Sequence, residues 1–343
     1  MSKFLTVMLV ILFAISPLAG CLDNSDESEV IVKKPLETVL EDAILVCNNT
    51  IIENGIGADF DVNYREIGNT LIDENTPSER YKLYYSAYSK NASKSNQTYI
   101  GYSYSEDGLN WQKYPSKIIS RPLEDPYVVK HEGIYHLFAE DKLDQPFRNI
   151  RKYHSIDGIN WIDDGDVLDI EVGGDPYGWE SKDVSSPVVW IESGIWHIFY
   201  EGRGDGGGKI GHATSNDGIN WTRDLLNPVF GKGIPGSWDE LQVAPDDLII
   251  INETYYLFYH GYSNLTKPSY KSGIAKSENL KDWFRLIDKP FSDINTLMLN
   301  KVSEDYLFYF TGENSENSSS ADIDGICSFK VDEFELLLRT LFD

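Results

Sequence analysis

The sequence predicts an all-β fold, a five-bladed β-propeller of four-stranded antiparallel blades. The first observation behind this is a repeat. Ser105-Glu106-Asp107-Gly108-Leu109-Asn110-Trp111 recurs as Ser155-Ile156-Asp157-Gly158-Ile159-Asn160-Trp161 and as Ser215-Asn216-Asp217-Gly218-Ile219-Asn220-Trp221. A degenerate copy stands at Ser277-Glu278-Asn279-Leu280-Lys281-Asp282-Trp283. The tryptophans lie 50, 60 and 62 residues apart, and a near-constant period of this size marks a repeat architecture. The second observation is that strand-length apolar and alternating runs accompany every copy. The third is composition: 13% of the 343 residues are aromatic, with 21 Tyr and 8 Trp, residue types that favour pleated sheets.

Each element of the unit follows from its residues. Asp-Gly within the repeat is a tight turn, in which Gly takes positive φ and Asp bonds its own backbone. Asp107, Asp157 and Asp217 recur in every full copy and are therefore read as turn residues. The Trp after the turn opens a short outer strand and is placed to pack its indole between neighbouring sheets. Before the turn stands a strand such as residues 209–214. Before that comes an alternating strand, as at residues 135–138, 196–200 and 255–259, and before that an apolar one, as at residues 127–129, 187–190 and 247–251. Blade one then covers about residues 63–120, blade two starts near Leu123, blade three at Asp183 and blade four at Gln242. Blade five covers residues 295–338 and lacks the Trp motif, and residues 47–61 are left to close the ring or cover it.

Composition excludes several classes of partner. Lys and Arg number 30 against 55 Asp and Glu, a net charge of −25. Such a chain repels phosphate backbones and anionic lipid, so no nucleic-acid partner is expected. Three cysteines without a CxxC pair give neither a disulfide scaffold nor a zinc site. The apolar run from Phe4 to Ile15 follows Lys3 and is shorter than the ~20 residues a bilayer crossing needs, so it reads as a signal-peptide core. Leu18-Ala19-Gly20-Cys21 is similar to a lipobox, in which Cys21 is lipidated; an ordinary secretory signal is the alternative. The expected organisation is a signal peptide over 1–20, a flexible acidic tether over 21–45 and the propeller over 46–343. The expected location is outside the cytoplasm, on the cell membrane through the Cys21 anchor alone, as a monomer. Cys47 and Cys327 lie at the two ends of the ring, where a disulfide is geometrically possible; two buried thiols are the alternative.

The segments Glu124-Asp125-Pro126-Tyr127-Val128-Val129 and Gly133-Ile134-Tyr135-His136-Leu137-Phe138 carry a resemblance. With residues 179–189 and 238–246, they make the chain resemble the five-bladed glycosidases, glycoside hydrolase families 32, 43, 62, 68, 117 and 130. Sialidases share the turn motif but have six blades. The resemblance implies a carbohydrate substrate and a funnel lined by the first strand of each blade. Acids at funnel positions are Asp125, Asp183 and Asp246, with Asp61 and Glu66 at the matching place in blade one; Glu140, Glu201 and His260 end the second strands. Glycoside cleavage needs one carboxyl to protonate the leaving oxygen and another to activate water or attack the sugar. Family 43 implies Asp125 as the acid that tunes its neighbours, Asp61 or Glu66 as base, and Asp183 or Glu201 as proton donor. The blade-one Asp-Pro of that family is missing, since Gly68-Asn69 stands there. Family 130 instead implies the Glu-Asp-Pro aspartate as acid and phosphate as nucleophile, although Tyr127 replaces the Arg expected after that Pro. Arg203 and His260 are candidates for binding sugar hydroxyls, and Trp179 for stacking on a sugar ring. Glu180 and Asp239, each after a Trp, are read as braces of the fold, a doubt that Asp61 after Phe60 shares. No metal-ligand spacing is present and no cofactor is expected, although some relatives hold a cation in the funnel. The reading is an extracytoplasmic glycoside hydrolase; the alternatives are a non-catalytic carbohydrate-binding propeller and a glycoside phosphorylase.

Overall fold

In a computed structural model of the chain, the described residues are 50–57, 59–89, 97–143, 147–170, 178–264, 270–285, 290, 295–302, 305–313, 323–331 and 334–335. The expected signal peptide, the expected lipidation site at Cys21, the expected tether and Cys47 lie outside them, and so does the expected Cys47–Cys327 pairing. Among the described residues the strands form an all-β propeller with four-stranded antiparallel blades. One sheet holds β2 (Asn63–Ile72), β3 (Tyr81–Tyr88), β4 (Tyr99–Ser105) and β5 (Gln112–Lys113). The next holds β6 (Glu124–His131), β7 (Ile134–Asp141), β8 (Asn149–Ser155) and β9 (Ile162–Leu168). A third holds β10 (Asp183–Glu192), β11 (Ile195–Gly204), β12 (Gly207–Ser215) and β13 (Trp221–Arg223). A fourth holds β14 (Gln242–Ile251), β15 (Thr254–Tyr262), β16 (Lys271–Ser277) and β17 (Phe284–Arg285). The last joins β18 (Asn295–Val302), β19 (Asp305–Glu313) and β20 (Ile323–Val331) to β1 (Thr50–Ile52) from the other end of the chain.

That last sheet uses residues 50–52 as its fourth strand. β1 pairs antiparallel with β20, Thr50 opposite Cys327 and Ile52 opposite Ile326. Residues 50–52 therefore complete the last blade. Closure appears at the centre, where the innermost strands β2, β6, β10, β14 and β18 each pack beside the next and β18 packs beside β2.

The repeated turn is built as its residues dictate. Asp107 Oδ1 accepts from the backbone N–H groups of Leu109 and Asn110 at 2.9 and 2.8 Å, and Gly108 takes φ 75°. Asp157 and Asp217 make the same bonds. In the degenerate copy Leu280 occupies the glycine place at φ 62°. Each Trp then packs edge-on against an aromatic of the preceding blade. Trp161 meets Tyr84, Trp221 meets Phe138 and Trp283 meets Phe199, with ring centroids 5.7–6.1 Å apart. Trp111 meets Tyr309 of the last blade at 5.6 Å, so the repeat stitches the seam as well. Edge contacts of this kind contribute about 0.5–1.5 kcal/mol each beyond the area they bury.

A second device is repeated in three blades. Asp239 is buried and binds Arg285 of outer strand β17 at 2.8 Å and the Tyr259 hydroxyl at 3.3 Å. Glu180 is buried and pairs with Arg223 of β13 at 2.7 Å. Asp61 does the same in blade one, against Lys113 of β5 at 2.7 Å and the Tyr85 hydroxyl at 3.3 Å. Asp61 thus ties its blade to an outer strand and is not among the residues of the pocket described below. Trp179 is buried and faces Tyr200, ring centroids 6.0 Å apart, as Trp238 faces Tyr259 at 5.5 Å. The Trp179 ring lies so close to Gly202 and Gly211 that a Cβ at either would fall within 2.6 Å of it. Trp179 is thus packed within the core of its blade.

Candidate active site

Every innermost strand carries a bulge at the same level of the funnel. The register breaks between Ile67 and Thr70, Glu124 and Tyr127, Ser185 and Val188, Pro245 and Asp247, and Asn295 and Leu297. A bulge leaves residues outside the ladder and re-aims their side chains. Here it turns Asp125, Ser186 and Asp246 into one central pocket, whose wall also includes Glu66, Tyr127 and His260. Of the sequence-predicted residues, Asp125, Glu66, Asp246 and His260 therefore share a cavity. Asp246 reaches it from a different bulge position. Its strand reads Pro-Asp where the two preceding ones read Asp-Pro and Ser-Pro.

Asp125 is only half satisfied on this wall. Its backbone is left-handed, φ 49°, a conformation that costs a non-glycine residue about 1–2 kcal/mol. Oδ2 accepts from the Ser186 hydroxyl at 2.9 Å, whereas Oδ1 is buried with no hydrogen-bond partner among the described residues. Burial and the neighbouring Glu140 push its pKa up to about 6, against the opposing pull of Arg65, the Ser186 bond and Arg148. Asp246, in contrast, is occupied: Oδ1 lies 2.5 Å from Nδ1 of His260. Burial works against a charged His260, but Asp246, with Glu201 and Asp125, raises it above the ordinary imidazole range.

Around the pocket runs a belt of ions. Lys142 bridges Glu124 and Glu140 at 2.9 and 3.2 Å. Arg148 pairs with Glu140 at 3.1 Å, and its backbone N–H donates to Asp183 at 3.0 Å. Arg203 pairs with Glu201 at 3.0 Å, and Ser185 donates to Glu201 at 3.0 Å. Asp183, Glu201 and Arg203 thus belong to this belt and not to the pocket wall. Burial disfavours ionised Glu140, yet Arg148, Lys142 and Arg65 hold its pKa below the ordinary value. Arg65 is the least engaged cation. It lies 3.6 and 3.8 Å from Glu124 and Glu66, and its buried Nε makes no hydrogen bond among the described residues. Tyr270 and Tyr262 stand beside His260, centroids 5.3 Å from Tyr270 to His260 and 5.2 Å between the tyrosines.

The cations Arg65, Lys142 and Arg148 were not found from the sequence. Lys142 stands two residues after Glu140 as Arg203 does after Glu201, and the other signal was the unpaired excess of acids at the strand starts, which requires counter-ions once the ring gathers them. Among the described residues no group of three or more His, Cys, Asp or Glu is arranged to hold a metal ion.

No protein-family model matches the chain. Two curated proteins of Thermoanaerobacter are similar to part of it. One is a 1,2-β-oligomannan phosphorylase, 29% identical over 141 residues, covering 38% of this chain and 46% of that protein. The other is a β-1,2-mannobiose phosphorylase, 26% identical over 149 residues, covering 38% of this chain and 48% of that protein. The chain thus matches less than half the length of each. Among solved structures, one described under the glycoside hydrolase family 130 of mannoside phosphorylases, as containing hydrolases that target β-1,2-mannosidic linkages in Candida mannan, superposes with a TM-score of 0.63. It is 14% identical, covering 84% of this chain and 93% of that one. A glycosyl hydrolase from Bacteroides ovatus gives 0.62 at 16% identity, covering 83% and 91%. At these identities the solved structures show a shared fold.

Proposed function

We propose that the chain is a five-bladed glycoside phosphorylase acting on β-linked mannosides, exported and anchored through Cys21, with Asp125 as the proton donor. One observation carries the mechanism: Asp125 presents a buried, unbonded carboxyl oxygen on the pocket wall and is the wall acid pushed up to about 6. A carboxyl of that kind is still partly protonated near neutral pH, which is what a general acid requires. A phosphate oxygen attacks the anomeric carbon while the glycosidic bond breaks. The bonding pair leaves with the departing oxygen, which takes the Asp125 proton, and Asp125 regains a proton from solvent. The products are a sugar 1-phosphate and the shortened saccharide. In this reading Arg65, whose Nε makes no hydrogen bond among the described residues, receives the phosphate, and Tyr262 and Tyr270 beside His260 meet the departing sugar. The sequence likeness to the two mannoside phosphorylases supports this substrate class.

A second reading, hydrolysis, is favoured by a separate observation. Lys142, Arg148 and Arg203 are each engaged by carboxylates, which weakens their hold on a dianion. Glu66 keeps a buried Oε2 without a hydrogen bond among the described residues and could activate water in place of phosphate. Export also suits hydrolysis, because a sugar phosphate formed outside the cell is lost to it. The test is β-1,2-mannobiose with and without inorganic phosphate. Phosphorolysis requires phosphate, yields mannose 1-phosphate and tolerates Glu66→Gln. Hydrolysis proceeds without phosphate and collapses in Glu66→Gln. No cleavage in either condition overturns both.

A further inference from the structure

Asp125 and Pro126 lie outside the β6–β7 ladder, which pairs Glu124 with Glu140 and resumes only at Tyr127 with Phe138. A left-handed non-glycine residue persists only where its surroundings over-determine it. Proline offers no N–H to help, so the bulge must be held from its two flanks. On one side Glu124 is held by the Thr98 hydroxyl at 3.1 Å and by Lys142 at 2.9 Å. On the other side, the outward backbone groups of Val128 have no partner strand, because β6 is the innermost of its blade. Asn69 of the neighbouring blade supplies both partners. Its Nδ2 donates to the Val128 carbonyl at 2.8 Å, and its Oδ1 accepts from the Val128 N–H at 2.7 Å. The amide imitates a strand at a buried position. Gly68 completes the fit: a Cβ there would stand 2.3 Å from the Pro126 carbonyl oxygen and 2.7 Å from its Cγ.

We infer that Asn69, with Gly68 beside it, is a positioning residue that holds Asp125 in its donating geometry by clamping the backbone of Val128. The inference rests on Asp125 being the proton donor. It gives a purpose to the pair that stands where blade one lacks Asp-Pro: blade one serves the acid of blade two instead of contributing its own. Misplacing a reacting group by ~1 Å costs about 10²-fold in rate, and the loss should fall on proton donation alone.

The experiment compares Asn69→Ala and the milder Asn69→Ser with wild type and Asp125→Asn on two substrates. One is β-1,2-mannobiose, whose leaving alcohol needs a proton; the other is 2,4-dinitrophenyl β-mannoside, whose leaving group does not. Thermal melting confirms that each variant is folded. The expected result is a fall of roughly 10–100-fold in kcat on mannobiose for Asn69→Ala, less for Asn69→Ser. The dinitrophenyl substrate should change by less than about 3-fold, with KM little altered. Equal losses on both substrates, or no loss on either, overturn the positioning role. Asp125→Asn separates the two claims. If it shows the leaving-group split and the Asn69 variants do not, the clamp alone is wrong. If it shows no split, the proton-donor reading falls and the clamp with it.

Discussion

Asp125→Asn should change the pH dependence of stability, and the size of the change follows from the site. Burial and Glu140 raise this carboxyl from 3.8 to about 6. At ~1.36 kcal/mol per unit, the folded wild type favours the protonated acid by ~3 kcal/mol over the unfolded chain. The sign runs against the usual carboxylate. The contribution is full below the unfolded value near 3.8 and is lost as pH rises through about 6. Roughly 2 of the ~3 kcal/mol disappear between pH 4.5 and 7.5. Asparagine has no proton to lose, so the stability gap, variant minus wild type, should widen by about 2 kcal/mol over that interval. Constant differences, such as an altered bond to Ser186, cancel in this comparison. With unfolding entropy near 2.1 cal/mol/K per residue, the gap in Tm should grow by ~3–4 °C. Scanning calorimetry of both proteins at both pH values measures it. A gap that stays constant within ~0.5 kcal/mol, or narrows toward neutral pH, would refute the argument that burial and Glu140 raise Asp125.

Two further predictions concern the frame. Arg285→Met leaves Asp239 buried with only the Tyr259 and Ser237 hydroxyls, and breaking a buried pair should cost about 3 kcal/mol. Chemical denaturation reads this, and a loss under ~1 kcal/mol would deny the brace a structural role. Trp111→Ala removes the indole that meets Tyr309 across the seam. A loss of about 3 kcal/mol is expected from truncating a large, partly buried aromatic, again by denaturation, and an unchanged midpoint would show that the seam does not depend on it.

Much of the frame was legible because local chemistry fixes it. The repeated Asp-Gly turns, the Trp that follows them and the strand starts at Asn63, Glu124, Asp183, Gln242 and Asn295 all follow from short-range rules. Asp125 stood out because it was not repeated. What the sequence hid depends on long-range juxtaposition. β1 is three residues long and patterned like nothing in particular, so its pairing with β20 could not be read. Asp61 shares its residue type and its nearness to the start of an innermost strand with the pocket acids, and its partners Lys113 and Tyr85 are known only from the fold. Asn69 looked like a defect in a motif because its partner, Val128, is 59 residues away. Arg65, Lys142 and Arg148 are ordinary charged residues until the ring draws the acids together.

The most direct test of the central claim is the steady-state rate of β-1,2-mannobiose cleavage by wild type and by folded Asp125→Asn, each with saturating phosphate. Loss of the proton donor predicts a fall of about 10²–10⁴-fold. A variant that retains activity within tenfold would contradict the account.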